Sequence, residues 1–296
     1  MNKVFSTIQQ RRARAAQARR VRAARNARRP SPAEHKPSPL VRIINSWWDR
    51  LLQSVTRHEF GDAVELYGAG RTQRDYIWNS LGLAAWGAEF PFLTVVVTQL
   101  VGVKGAGMFS MAYVTGMMLM FIGNYGARTF QVSDVHEEQS FAAYQIQRFL
   151  ACALMVAVGV VWCALHQYDH QMNQICFGVF GFRMIDALAD VYEGRLQQQD
   201  KLYLAGISQA LRSSVTFIAC SAVLLLTRNL ATASMALLIG AIASFLFATL
   251  PLALLETPKS RTPEFVEIRE IFIQCFPAAA ALFLYAVIDN MPKFAM

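Results

Sequence analysis

From Ala231 to Leu255 the chain reads ATASMALLIGAIASFLFATLPLALL, twenty-five residues without one charged side chain. A helix rises ~1.5 Å per residue, so ~20 mainly apolar residues carry it across the ~30 Å hydrocarbon core of a bilayer. Lipid offers no partner to backbone N–H and C=O groups, which leaves helices and closed barrels as the spanning structures. Six more blocks of this kind lie outside it: Tyr76 to Val101, Gly107 to Tyr125, Phe149 to Leu165, Met172 to Val191, Leu211 to Leu226 and Ile271 to Ile288. The expected fold is all-α, a polytopic membrane bundle of about seven transmembrane helices.

Composition points the same way. The chain is 54% hydrophobic and 16% charged, with a mean hydropathy of +0.30, more apolar than is usual for a water-soluble chain of this size. Charge is divided unevenly along it. Residues 1–75 hold 16 Lys/Arg against 6 Asp/Glu, and the rest hold 12 against 14, so the net +8 belongs to the N-terminal part. Five cysteines are scattered singly through the apolar blocks, without the CxxC or Cys/His spacing that metals need, and read as small buried thiols.

Arg11 to Arg29, RRARAAQARRVRAARNARR, is helix-prone and has no acidic residue in it or before it. Such a segment is read as a cytoplasmic tail touching anionic lipid, as a nucleic-acid contact or as an organellar presequence. The first is the expectation, with no nucleic-acid partner, because no aromatic residues or folded basic module accompany the charge. Pro30, Pro32, Pro37 and Pro39 then form an extended linker, and IINSWWDRLLQSV from Ile43 to Val55 is amphipathic, as expected of a segment along the membrane surface.

The loops after the second, fourth and sixth blocks carry most of the remaining cations: Arg128 and Arg148, then Arg195, Lys201 and Arg212, then Lys259, Arg261 and Arg269. The intervening loops carry Lys104, none, and Arg228. The positive-inside rule places the N-terminus and the even loops in the cytoplasm. The even loops are also long enough to continue their helices beyond the lipid.

Ionisable residues at membrane depth cost ~2.5–3.5 kcal/mol on insertion scales, which makes each a candidate for function. Arg183, Asp186, Asp190, Glu193 and Gln197 recur at steps of three and four, within an arc of roughly 80° on one helix face. That stripe either lines a wet cavity or binds neighbouring helices, with Arg183 and Asp186 able to pair at i,i+3. Asn79, Gly82, Trp86 and Glu89 share a face of the first block ahead of Pro91, a residue that tends to kink a helix. No phosphate-binding glycine loop, HExxH element or catalytic triad context is present, so no enzymatic activity and no bound cofactor are expected.

The run NYGARTFQVSDVHEEQSFAAYQIQRF, Asn124 to Phe149, together with DALADVYEGRLQQQDKLYLAGISQALRS, Asp186 to Ser213, and the closing IDNMPKFAM, resembles polysaccharide and O-antigen flippases of the multidrug/oligosaccharidyl-lipid/polysaccharide exporter superfamily. The resemblance covers about Tyr76 to Met296. It implies a bacterial cytoplasmic-membrane transporter that passes an undecaprenyl-diphosphate-linked oligosaccharide across by alternating access. It also implies a substrate site at Arg183, Asp186, Asp190, Glu89 and Asn79, a cytoplasmic mouth at Arg128, Asp134 and Arg148, and a proton or sodium ion as coupling ion.

Such flippases carry twelve or more spans in two six-helix lobes. The expected division is therefore a tail over 1–75, one lobe over 76–257, a linker over 258–270 and the first helix of a second lobe over 271–296. A truncated product, or a chain completed by a second chain, follows from that length. A multidrug cation antiporter, a membrane glycosyltransferase of glycan assembly and an inactive remnant are the alternatives.

Overall fold

The computed structural model describes the backbone of residues 39, 41–43, 45–46, 63–134 and 137–294, with side chains in all of these except 63–71 and 289–294. The Arg-rich tract, most of the interfacial segment and His136 fall outside the described residues, as do the side chains of Asp289, Asn290 and Lys293. Residues 37–296 form one compact unit.

The described residues of that unit are mostly helical, and no strand occurs among them. Helix α1 runs Ala63–Val101 and passes unbroken through Pro91. After it come α2 (Val103–Asn124), the short α3 (Ala127–Ser133) and α4 (Phe141–His166). Then follow α5 (His170–Gln198), α6 (Leu202–Thr227) and α7 (Leu230–Ser244). A π-helical turn at Phe245–Thr249 joins α7 to α8 (Leu250–Glu256), and α9 spans Phe265–Phe294. Among the described residues, six stretches are long and apolar enough to cross a membrane: Thr72–Val101, Val103–Asn124, Phe141–His166, Leu202–Thr227, Leu230–Glu256 and Phe265–Ile288. The protein is a multi-pass membrane helix bundle.

The seventh crossing is α5, which has the length but not the composition. Its charges are affordable because of where it sits. Helices α2, α4, α6 and α7 all pack against it, so its second half, from Phe182 to Leu196, is mostly buried in protein rather than facing lipid. The most polar of the long helices is the centre of the bundle.

Turns and caps follow from local chemistry. Gly102 alone separates α1 from α2 with φ 92°, a conformation a side chain would strain. Ser140 and Asp169 cap α4 and α5 by accepting from the amides of Ala143 at 3.2 Å and Met172 at 2.9 Å, and Asn229 caps α7. Glycines also set two close helix crossings. A Cβ on Gly206 would run into the backbone of Trp78 and Asn79 on α1, and one on Gly178 would meet Ser234 of α7.

Two ends of the bundle are distinct. At one, Arg228 Nη1 donates to the Leu100 carbonyl at 3.2 Å, bringing the α6–α7 turn beside the α1–α2 turn. At the other, Arg195 Nη1 donates to Glu137 at 2.8 Å and its Nη2 to the Pro258 carbonyl at 3.4 Å, joining the connections that follow α3, α5 and α8. The helices do extend past the apolar blocks at this second end: α4 begins at Phe141, α6 at Leu202 and α9 at Phe265.

That extension corrects the placement of three arginines. Arg148, Arg195 and Arg212, assigned to loops from the sequence, lie inside α4, α5 and α6 and are buried. Short polar ends of these helices, docked on neighbours instead of water, read like loops when taken alone.

Candidate functional site

The side chains of the α5 stripe meet five different helices, α1, α2, α3, α4 and α6. Asp186 accepts from Arg183 Nη1 at 2.5 Å and from Arg212 Nε of α6 at 2.7 Å. Glu193, two turns on, accepts from Arg212 Nη1 at 2.7 Å and from the Ser208 hydroxyl at 3.2 Å. Asp190 points between them to the other side, accepting from Arg128 Nη1 of α3 at 2.7 Å and from Arg148 Nη2 of α4 at 2.8 Å. Gln197 Oε1 closes the row by accepting from Arg128 Nη2 at 3.1 Å. Four arginines and three carboxylates thus alternate through the bundle.

Each pairing answers the cost of a charge out of water. An unpaired ion at this depth would be prohibitive, whereas a pair with further hydrogen bonds is tolerated. Arg148 adds bonds to the Gly123 carbonyl and to Asn124 Oδ1, at 3.2 and 3.0 Å, and Arg212 reaches Thr249 at 3.5 Å. Thr249 stands at the end of the π-helical turn. Pro251 has no N–H to give the Phe247 carbonyl, and the widened turn ahead of it directs the buried Thr249 hydroxyl to Ser208 at 2.7 Å. Burial works against the charge on Arg128, yet the Asp190 and Glu193 carboxylates outweigh it and raise its pKa above the ordinary guanidinium value.

Arg183 differs from the other three arginines. It lines a cavity of about 250 Å³ at mid-height of the bundle, walled by Trp86, Gly87 and Phe90 of α1, Tyr113, Val114, Met117 and Phe121 of α2, and Tyr285 and Ala286 of α9. The guanidinium bonds the Tyr113 hydroxyl and lies over the rings of Tyr113 and Phe182 at 4.3 and 4.4 Å. Tyr113 is itself fixed by stacking on Phe90, centroid to centroid 4.4 Å, and by contact with Phe109. Arg183 Nε has no hydrogen-bond partner among the described residues although the residue is 1% exposed. An aromatic-walled cavity, open on one side beside the exposed Tyr285, therefore carries one buried guanidinium in its wall.

The other residues singled out in the sequence are distributed around this cavity. Asp186 stands behind Arg183 and accepts at 3.4 Å from the indole of Trp86, a residue that does line it. Glu89 is buried on α1, with one oxygen accepting from Thr216 of α6 at 2.5 Å and the other without a partner among the described residues. Asn79 is half-buried at the α1–α6 crossing and does not line the cavity. Arg128, Asp190 and Arg148 are joined nearer the second end. Asp134 instead closes the α3–α4 connection, accepting from the amides of Glu138 at 2.7 Å and Gln139 at 2.9 Å, while its carbonyl accepts from Gln198.

Tyr113 and the joining role of Arg212 went unread in the sequence. An uncharged tyrosine in an apolar block gives no signal, and Arg212 stands at the start of its block, where a loop cation is the ordinary reading. All five cysteines are free thiols. Compared with models of known protein families, with curated proteins and with solved structures, the chain matches none.

Proposed function

We propose that this chain is a transport lobe that passes a lipid-linked oligosaccharide across the bacterial cytoplasmic membrane, taking the anionic diphosphate of the lipid carrier at the cavity beside Arg183. The observation that carries the reading is that cavity: a half-open, aromatic-lined space among α1, α2, α5 and α9 whose wall holds one guanidinium. Arg suits phosphate oxygens because its planar fork of N–H donors matches them bidentately. The apolar rings lower the polarity around the guanidinium, which strengthens its attraction to an anion. The sequence resemblance to polysaccharide flippases supports the same substrate class.

In this reading the ligand is carried without covalent change. Glu89, buried with one oxygen unpartnered among the described residues, serves as the carboxylate whose occupancy by a proton or sodium biases the inward- and outward-facing states. The Arg-rich N-terminal part lies at the cytoplasmic face against anionic lipid, each cation contributing about 1 kcal/mol there. A multidrug cation antiporter of the same superfamily fits less well, because a cationic ligand would meet Arg183 in the wall while the nearest carboxylate, Asp186, is already shared by two arginines.

The test is made in cells. Replacing the chromosomal copy by Arg183→Ala is expected to lower surface glycan severely and to leave lipid-linked precursor accumulating at the cytoplasmic face. Unchanged glycan export at an unchanged level of membrane-inserted protein would remove the assignment.

A further inference from the structure

Arg183 and Arg212 share Asp186 unequally. Asp186 Oδ2 accepts from Arg183 Nη1 and, at 3.4 Å, from the Trp86 indole, while Oδ1 is held separately by Arg212 Nε at 2.7 Å. Arg212 in turn holds Glu193 at 2.7 Å. Asp186 therefore keeps a cation and an indole donor if Arg183 turns away, and Arg212 keeps a carboxylate if Asp186 is removed. Arg183 has no such second ion pair among the described residues: its other bond is to the neutral Tyr113 hydroxyl, and Glu89, with one oxygen on Thr216 and the other unpartnered, is not bonded to it. The guanidinium in the cavity wall is thus one whose counter-ion can be exchanged without leaving a buried carboxylate bare.

Resting on the reading that an anionic head group occupies this cavity, we propose that Asp186 is an internal competitor for Arg183, a positioning residue that holds the guanidinium until a ligand phosphate displaces it and takes it back as the ligand departs. No covalent bond is made or broken. A phosphate oxygen replaces Oδ2 on Arg183 Nη1, and Asp186 stays charged on Arg212 and Trp86. The device keeps affinity in check, since a carrier must bind firmly enough to load yet weakly enough to unload, as an ion channel must. It also makes a sharp prediction, because removing a competitor tightens binding whereas removing a purely structural group does not.

The experiment uses the full chain in nanodiscs of neutral phosphatidylcholine and measures equilibrium binding of radiolabelled farnesyl diphosphate, with farnesol as the uncharged control. Asp186→Asn is expected to bind the diphosphate about tenfold more tightly, the scale of one hydrogen bond to a charged group. Asp186→Glu, which keeps the competing charge, is expected to stay near the native affinity, and farnesol binding is expected to be the same in all three. Equal or weaker diphosphate binding by folded Asp186→Asn overturns the proposal.

Where that variant does not give monodisperse protein, Arg212→Lys reads the same exchange from the other side. A lysine reaches one carboxylate instead of two, Asp186 then depends on Arg183, and diphosphate binding is expected to weaken. Native or tighter binding by Arg212→Lys overturns it equally. Arg183→Gln separates this proposal from the reading beneath it: if it binds diphosphate as well as the native chain, the anion site itself is wrong, whereas loss of binding there with no gain in Asp186→Asn removes only the competitor.

Discussion

Arg212 joins two carboxylates that stand two helical turns apart on α5, and it does so almost wholly out of water. Truncating it strands Glu193 on Ser208 and a distant Arg128, and leaves Asp186 to Arg183 and the Trp86 indole. Arg212→Ala is expected to destabilise the bundle by about 3–5 kcal/mol, the usual cost of removing one partner from a buried ion pair. Arg128 offers the contrast: it is 31% exposed, and its main partner Asp190 keeps Arg148 when it goes. Arg128→Ala is expected to cost about 1 kcal/mol or less. Thermal unfolding of both variants in one mild detergent checks the ordering, and equal losses would contradict a network whose centre is Arg212. Arg183, Asp186 and Asp190 were legible as candidates because a charge in an apolar block is conspicuous. Their partners were not, since partnership depends on which helix faces them.

Helices approach closely where glycine allows, and α1 and α6 do so at Gly82 and Gly206. A methyl group on Gly206 would meet backbone atoms of Trp78 and Asn79, which have no rotamer to yield. Gly206→Ala is therefore expected to lower stability by about 1–3 kcal/mol, as overpacking does. Gly107 on α2 has open space around it, with no neighbouring atom within 4 Å of the place an alanine methyl would take. Gly107→Ala is expected to be neutral or slightly stabilising, because alanine favours the helix by up to about 1 kcal/mol over glycine. The folded fraction after a fixed heat pulse distinguishes them, and a comparable loss at both positions would contradict so close a crossing of α1 and α6. Nothing local to Gly82, Gly178 or Gly206 in the sequence says which helices meet there. The partners are fixed by tertiary packing: Gly82 faces Gly206, more than a hundred residues later, and Gly178 faces Ser234.

Across the whole molecule, the alternation of charge between loops has a physical counterpart in two separate ends. Lys104 lies just after the α1–α2 turn that Arg228 touches, and Lys259 lies in the connection that Arg195 holds at the opposite end. In right-side-out vesicles a membrane-impermeant maleimide is expected to label Lys104→Cys directly and Lys259→Cys only after permeabilisation, as the positive-inside rule requires. The reverse pattern would invert the proposed orientation and put the Arg128 side outside. By itself the sequence determined that the chain is a helical membrane bundle, where its apolar crossings run and that α5 carries an anomalous polar stripe. Those are consequences of local composition and period, because a bilayer selects for uninterrupted apolar length residue by residue. Only the tertiary structure decided that the stripe is the buried centre of the bundle, that α3, α4 and α6 supply its counter-charges, and that Arg183 alone of the four arginines lines the aromatic cavity. Charge compensation and enclosure are properties of helices brought together from distant parts of the chain, and no window of sequence contains both sides of such a contact.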